Sequence, residues 1–117
     1  MPFKFQNHVV YEQISIFAKD LFQFTGKLPE HESNGLIRQI RNLAINLLQD
    51  FTEGFVRTSK SESSEAIEKC IVSIAKVVSL IDLCQRLGYV DKKTNDRWTN
   101  ICDELTKRLY ETHKSLH

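Results

Sequence analysis

Asp50 and Glu53 lie three residues apart, with Arg57 four residues beyond Glu53. On a helix that spacing places all three on one side. Two neighbouring carboxylates could divide general acid and base work or hold Mg²⁺. An acid one turn before an arginine is also the ordinary pattern of an end-of-helix salt bridge, and that is the expectation here. His113 and His117 stand at i and i+4 and could clip a metal, but no acid completes an HExxH pattern and His117 is the last residue. The three cysteines, Cys70, Cys84 and Cys102, have no CxxC spacing and sit among apolar neighbours, so they read as reduced core residues. There is no glycine-rich phosphate loop, nucleophile elbow or HxE…PCxxC pattern. The expectation is therefore no enzyme, no bound metal and no cofactor.

Such side chains must be held by a scaffold, and the composition restricts it. The chain has 117 residues, 41% of them hydrophobic, with Gly 4 and Pro 2. Few breakers favour long helices over a turn-rich sandwich, and the length suits one core and a single domain spanning the chain. Lys+Arg 16 against Asp+Glu 15 gives a formal net charge of +1, which announces no polyanionic partner. The opening MPFKFQNHVVYEQ lacks the apolar core of a signal peptide, and no run is long enough for a membrane span. A soluble cytoplasmic protein with no membrane contact is expected.

Four apolar series at helical spacing organise the chain. Val10, Ile14, Phe17 and Leu21 predict a helix over about 7–25, closed by Gly26 and Pro29. Leu36, Ile40, Leu43, Ala44, Leu47 and Phe51 predict a second over about 31–54, starting after Pro29 with Glu30 and Glu32 at its positive end. Ser59 and Glu62 form an S-x-x-E box opening a third helix over about 60–87, with Ile67, Cys70, Ile71, Ile74, Val78, Ile81 and Cys84 on its face. Gly88 ends it, Asp91 caps the next, and Trp98, Ile101, Cys102, Leu105, Leu109 and Leu116 mark a fourth over about 92–114. Short connections between helices of similar length predict an all-α, up-down antiparallel four-helix bundle.

Two helices carry more apolar surface than a monomeric bundle can bury. Phe5, Val9 and Ile16 lie away from Val10 and Ile14, and Val72, Leu80, Leu83 and Leu87 lie away from Ile67, Ile74 and Ile81. A helix that is apolar on two sides is buried on two sides, so these residues predict an oligomer interface. The alternative is a central third helix covered by the N-terminal segment. Among the bases, Arg38, Arg41, Arg57 and Lys60 cluster around the second helix and its exit, opposed by Asp50 and Glu53. One subunit offers too little charge to hold phosphate strongly, whereas a ring would repeat the patch and accumulate counterion release.

The stretch QIRNLAINLLQDFTEGFVR, residues 39–57, closes on Glu53-Gly54-Phe55. Glycine there either lets the chain leave the helix or lets a neighbour approach closely, with Phe55 folding back as an apolar contact and Glu53 and Arg57 holding each other or a neighbouring subunit. Pro29-x-x-Glu32-x-x-Gly35-Leu36-x-x-Gln39-Ile40-Arg41, then Ala44, Glu53-Gly54-Phe55-x-Arg57 and Leu87-Gly88-Tyr89 resemble the four-helix-bundle family of 23S rRNA intervening-sequence proteins. The accessory variability proteins of diversity-generating retroelements are similar to the same group. The resemblance implies an up-down bundle assembling into a ring or barrel-like homo-oligomer, a pentamer. For the accessory proteins it further implies binding to nucleic acid and to a reverse transcriptase. Where the family usually has Ile-Pro-Ser-Asn-Ile-Ala, this chain has Leu47-Leu48-Gln49-Asp50-Phe51-Thr52. The family's Gly-Ser and downstream Glu are Val72-Ser73 and Lys76.

Two functional expectations follow. The first is a non-enzymatic homo-oligomeric scaffold that binds RNA or DNA weakly, as an accessory to a reverse transcriptase or linked to an rRNA intervening sequence. The alternative is a homo-oligomeric protein-interaction module without nucleic-acid affinity.

Overall fold

Each of the four apolar series forms one α-helix in the computed structural model, which describes residues 3–115. The helices are α1 (Val9–Thr25), α2 (Leu36–Val56), α3 (Lys60–Arg86) and α4 (Lys92–Ser115), with short 3-10 turns at Lys4–Asn7 and Glu30–Glu32. Among the described residues there is no strand. Leu116 and His117 of the sequence reading lie outside the described residues. Each helix packs on the next in chain order, and α4 returns to α1 through a thinner contact; the diagonal pairs do not approach. The bundle measures 44 × 23 × 21 Å, so its long axis is set by the length of α3.

The core is the predicted stripes brought together. Ile14, Leu21, Ile40, Leu47, Phe51, Ile67, Ile74, Ile81 and Leu109 are fully buried. Ile101 is the exception, lying at the edge of α4 and 41% exposed. No described helix is long and apolar enough to cross a membrane.

Local capping explains most boundaries. His8 caps α1, its Nδ1 accepting from the Val10 amide at 3.1 Å, so that the helix starts at Val9, two residues after the predicted start. The Ser59 hydroxyl accepts from the Glu62 amide, and the Asp91 carboxylate accepts from the Thr94 amide at 2.8 Å. Hydrogen bonds from Thr94 hold the Asp91 carboxyl below its ordinary range. Gly88 takes a φ of 81°, the left-handed conformation that lets α3 stop and the chain turn into α4.

Two boundaries of α2 differ from the sequence expectation. It starts at Leu36 rather than near residue 31, because Glu30–Glu32 makes a separate 3-10 turn. Gly54 does not end the helix: it is buried inside α2, which continues to Val56. A Cβ at Gly54 would stand 3.1 Å from Ile67 Cδ1 and 3.4 Å from Ala66 Cβ, so the glycine is there for the close approach of α3. Phe55 lies within the helix rather than beyond a cap, its ring centre 5.5 Å from His8 and 6.4 Å from Phe51.

Candidate functional site

Of Asp50, Glu53 and Arg57, the last two form a structural ion pair. Arg57 Nε lies 3.5 Å from Glu53 Oε2 and its Nη1 lies 3.1 Å from Glu62 Oε2, so one guanidinium joins the end of α2 to the start of α3. Asp50 is half-buried and its carboxyl is raised, first by burial and also by Glu53, with Lys69 acting against both. The thiols of Cys70 and Cys102 are each pushed up to about 12 by burial, and that of Cys84 is raised for the same reason. Thiols held protonated are poor nucleophiles. The His113 ring nitrogen Nε2 sits 2.7 Å from Ser64 Oγ, tying the end of α4 to the start of α3. Among the described residues no group of three His, Cys, Asp or Glu side chains could hold a metal ion.

The four bases named from the sequence do not form one patch. Arg38 and Arg41 sit near the start of α2, whereas Arg57 and Lys60 sit at its far end. The nineteen helical positions from Arg38 to Arg57 span ~28 Å at ~1.5 Å per residue. Arg57 is already engaged by two carboxylates. Arg41 donates from Nε to the Thr25 hydroxyl at 2.8 Å and lies 5.0 Å over the Phe22 ring, which turns it towards α1 without neutralising it. Arg38 is exposed and makes no ion pair among the described residues.

The second apolar stripes do reach the surface. Val9 is 62% exposed, Ile16 46%, Val72 51%, Leu83 41% and Leu87 48%. Leu80 is half-buried against the groove it shares with Leu43. Phe5 differs: it is half-buried, with its ring centre 5.1 Å from that of Tyr11. It packs within the subunit because the 3-10 turn folds it onto α1.

These residues fall on two opposite faces. One is the α1–α4 face, where Ile16 adjoins a groove of about 310 Å³ lined by Gln13, Phe17, Ile101, Leu105 and the Glu104 and Arg108 side chains. The cleft at its upper end, about 650 Å³, is walled by Phe24, Trp98, Ile101 and the Gly88–Asp91 turn. The other is the α2–α3 face, where Leu43, Lys76 and Leu80 line a groove of about 350 Å³ beside Val72 and Leu83. Because the helices neighbour one another in chain order, the α1–α4 and α2–α3 faces lie on opposite sides of the bundle.

A family model described as 23S rRNA-intervening sequence protein matches residues 6–111. The chain belongs to that family. No individually curated protein matches it. Family membership gives an rRNA-associated context to the bundle; it assigns no residue.

Two of the segments on which the resemblance rests, far apart in the chain, meet at the upper end of the bundle. The Tyr89 hydroxyl donates to Glu32 Oε2 at 2.7 Å, and His31 Nε2 lies 3.1 Å from the same hydroxyl. This clamp joins the α1–α2 connection to the α3–α4 turn, and Glu32 also packs beside Gly35, where a Cβ would come within 3.0 Å of its Oε1. The hydrogen bond to Glu32 raises the Tyr89 hydroxyl above its ordinary 10.0. A raised folded-state pKa contributes stability that is present below the unfolded value and is lost as pH rises through the folded value. Tyr89→Phe is therefore expected to lower the thermal midpoint at neutral pH and to flatten the fall of stability above pH ~10. Thermal melts of both proteins across that range check this. Sequence reading did not pair Tyr89 with Glu32, and it placed Ile101 in the core; both facts depend on neighbours distant in the chain.

Proposed function

We propose that the protein is a non-enzymatic homo-oligomeric scaffold whose assembled surface binds RNA in a weak, salt-sensitive and sequence-tolerant way. The observation that carries this reading is the pair of exposed apolar faces on opposite sides of one bundle. Contiguous apolar surface of this kind marks an interaction site, and two such faces let each copy hold two others. Pairing one face with the other from copy to copy covers both, as in the ring of five that the family resemblance implies. The family context makes RNA the natural polyanion.

Arg41 fits the phosphate-binding role because it projects from α2 towards α1, away from both apolar faces, and Arg38 stands exposed three residues earlier on the same helix. One copy supplies two such cations, with little affinity. Several copies presenting the same pair to one strand release counterions together, and log affinity then falls steeply with log salt. Arg57 and Lys60 contribute less, since Glu53 and Glu62 offset Arg57.

The test is a titration of a fluorescent RNA stem at two salt concentrations. Arg38→Glu/Arg41→Glu is expected to weaken binding by at least about tenfold at low salt and to shallow the salt slope by roughly two units per strand-facing copy. Equal binding by both proteins would move the site away from α2. No binding by the parent at low salt would support a protein-interaction module instead.

A further inference from the structure

We infer that the cleft at the upper end of the α1–α4 face holds one unpaired nucleotide of an RNA, with its base against Phe24 and Trp98 and its phosphate on Lys27 and Arg97. This rests on the RNA-binding reading above and adds a contact separate from Arg38 and Arg41. The cleft, about 650 Å³, falls within the ~300–1,000 Å³ usual for ligand pockets. It shares only Ile101 with the apolar groove below it. Its rim is charged, with Lys27, Asp91 and Arg97 all exposed, which sets it apart from the apolar surface offered to other copies.

Two helices build the cleft in the same way. Asp20, Phe24 and Lys27 follow one another at turn spacing along α1 and the turn that closes it, and Thr94, Trp98 and Ile101 do so along α4. Because α1 ascends where α4 descends, Lys27 and Thr94 stand at the upper rim, Phe24 and Trp98 at mid-depth, and Asp20 and Ile101 at the lower end. The wall at mid-depth is aromatic. The Trp98 ring stands edge-on between Phe17 and Phe24 at 5.8 and 5.5 Å, and half-buried Phe24 leaves ring surface open. Held from two sides, the indole is ordered before a ligand arrives, so a flat base that packs there loses little to immobilising it. Stacking of this kind tolerates any sequence, since every base has a π-face.

The charges complete the match. Lys27, Arg97 and half-buried Asp20 form no ion pair among the described residues. Their neighbours are committed: Lys92 reaches Asp96 at 2.7 Å, and the Asp91 carboxylate accepts from the Thr94 amide. Two unpaired cations at the side of an aromatic wall suit a phosphate, which accepts from both. A carboxylate lower down suits a base amine or the ribose hydroxyls, which donate to it. A purely apolar ligand would bury these charges without partners, and a bare anion would leave the rings uncovered. A base inside a duplex keeps both faces stacked and cannot reach Phe24 and Trp98, so the cleft selects an unpaired nucleotide.

Trp98 is the single tryptophan of the chain, so tryptophan emission reports this cleft alone. The probes are AMP and two fluorescent RNA hairpins that differ by one unpaired 3′ adenosine. AMP and the overhanging hairpin are expected to quench Trp98 saturably, and the blunt hairpin to bind by anisotropy without quenching. Adenosine and ribose 5-phosphate, as competitors, should each be at least about tenfold weaker than AMP. Lys27→Ala/Arg97→Ala, at exposed positions, should weaken AMP by about tenfold or more at an unchanged thermal midpoint. Arg38→Glu/Arg41→Glu should leave AMP quenching at its parental value. Anisotropy binding of the overhanging hairpin with no change in Trp98 emission would overturn the inference and leave the RNA reading intact, as would equal quenching by both hairpins. Quenching by AMP with neither hairpin bound would make this a free-nucleotide site and overturn the RNA assignment. No quenching by AMP and no binding of either hairpin would overturn both readings.

Discussion

Leu83→Glu is expected to scatter light as a monomer of about 13.6 kDa under conditions where the parent scatters as a several-fold multiple of it. In one chain Leu83 is already 41% exposed, so a carboxylate there meets water and the bundle keeps its fold. In the assembly the same carboxylate would enter an apolar seam beside Leu80 and Leu87. Taking a carboxylate out of water into such a seam costs roughly 3 kcal/mol or more even beside a cation, which weakens association about a hundredfold or beyond at ~1.4 kcal/mol per tenfold. Tyr110→Glu is the control, because Tyr110 is more exposed than Leu83, at 54%, and lines neither groove. Far-UV circular dichroism should be unchanged for both. A Leu83→Glu protein of parental mass would show that the α3 stripe is not a contact between copies.

The features legible in the sequence were those whose cause is local. Ser59, Gly88 and Asp91 act within three residues of themselves, and each marks a helix end as read. The periodic stripes were legible because a helix repeats its environment every turn. Gly54 was ambiguous for a physical reason: a glycine that ends a helix and one that admits a neighbour look alike in a string. The deciding atom belongs to Ile67, on the next helix. The α2 start was misplaced because Glu30 and Glu32 suit a helix N-terminus, yet Glu32 is committed to Tyr89. Likewise four bases near one helix suggested a patch, but the length of α2 sets two of them at its opposite end, and Glu53 with Glu62 takes Arg57. That the two extra stripes oppose each other follows only from the order in which the helices neighbour one another.

Gly54→Leu is expected to destabilise the bundle by about 3 kcal/mol, a large share of the roughly 5–15 kcal/mol typical of a domain this size. Even a Cβ at this position stands 3.1 Å from Ile67 Cδ1 and 3.3 Å from its Cγ1. Ile67 is fully buried and cannot swing into solvent, so a branched side chain must push α3 off α2 along the best-packed pair in the molecule. Gly54→Ala separates the two causes. It gains up to ~1 kcal/mol of helix propensity and asks Ile67 to yield by a few tenths of an ångström, so it should lie within ~1 kcal/mol of the parent. If steric approach is the reason for the glycine, truncating the opposing side chain must restore space. Gly54→Leu/Ile67→Ala should then be more stable than the sum of its single variants by at least ~1 kcal/mol in urea unfolding, although Ile67→Ala alone costs ~2–5 kcal/mol. Strict additivity would mean that Gly54 and Ile67 do not share the contact, and a Gly54→Leu protein as stable as the parent would mean that α2 and α3 do not meet there.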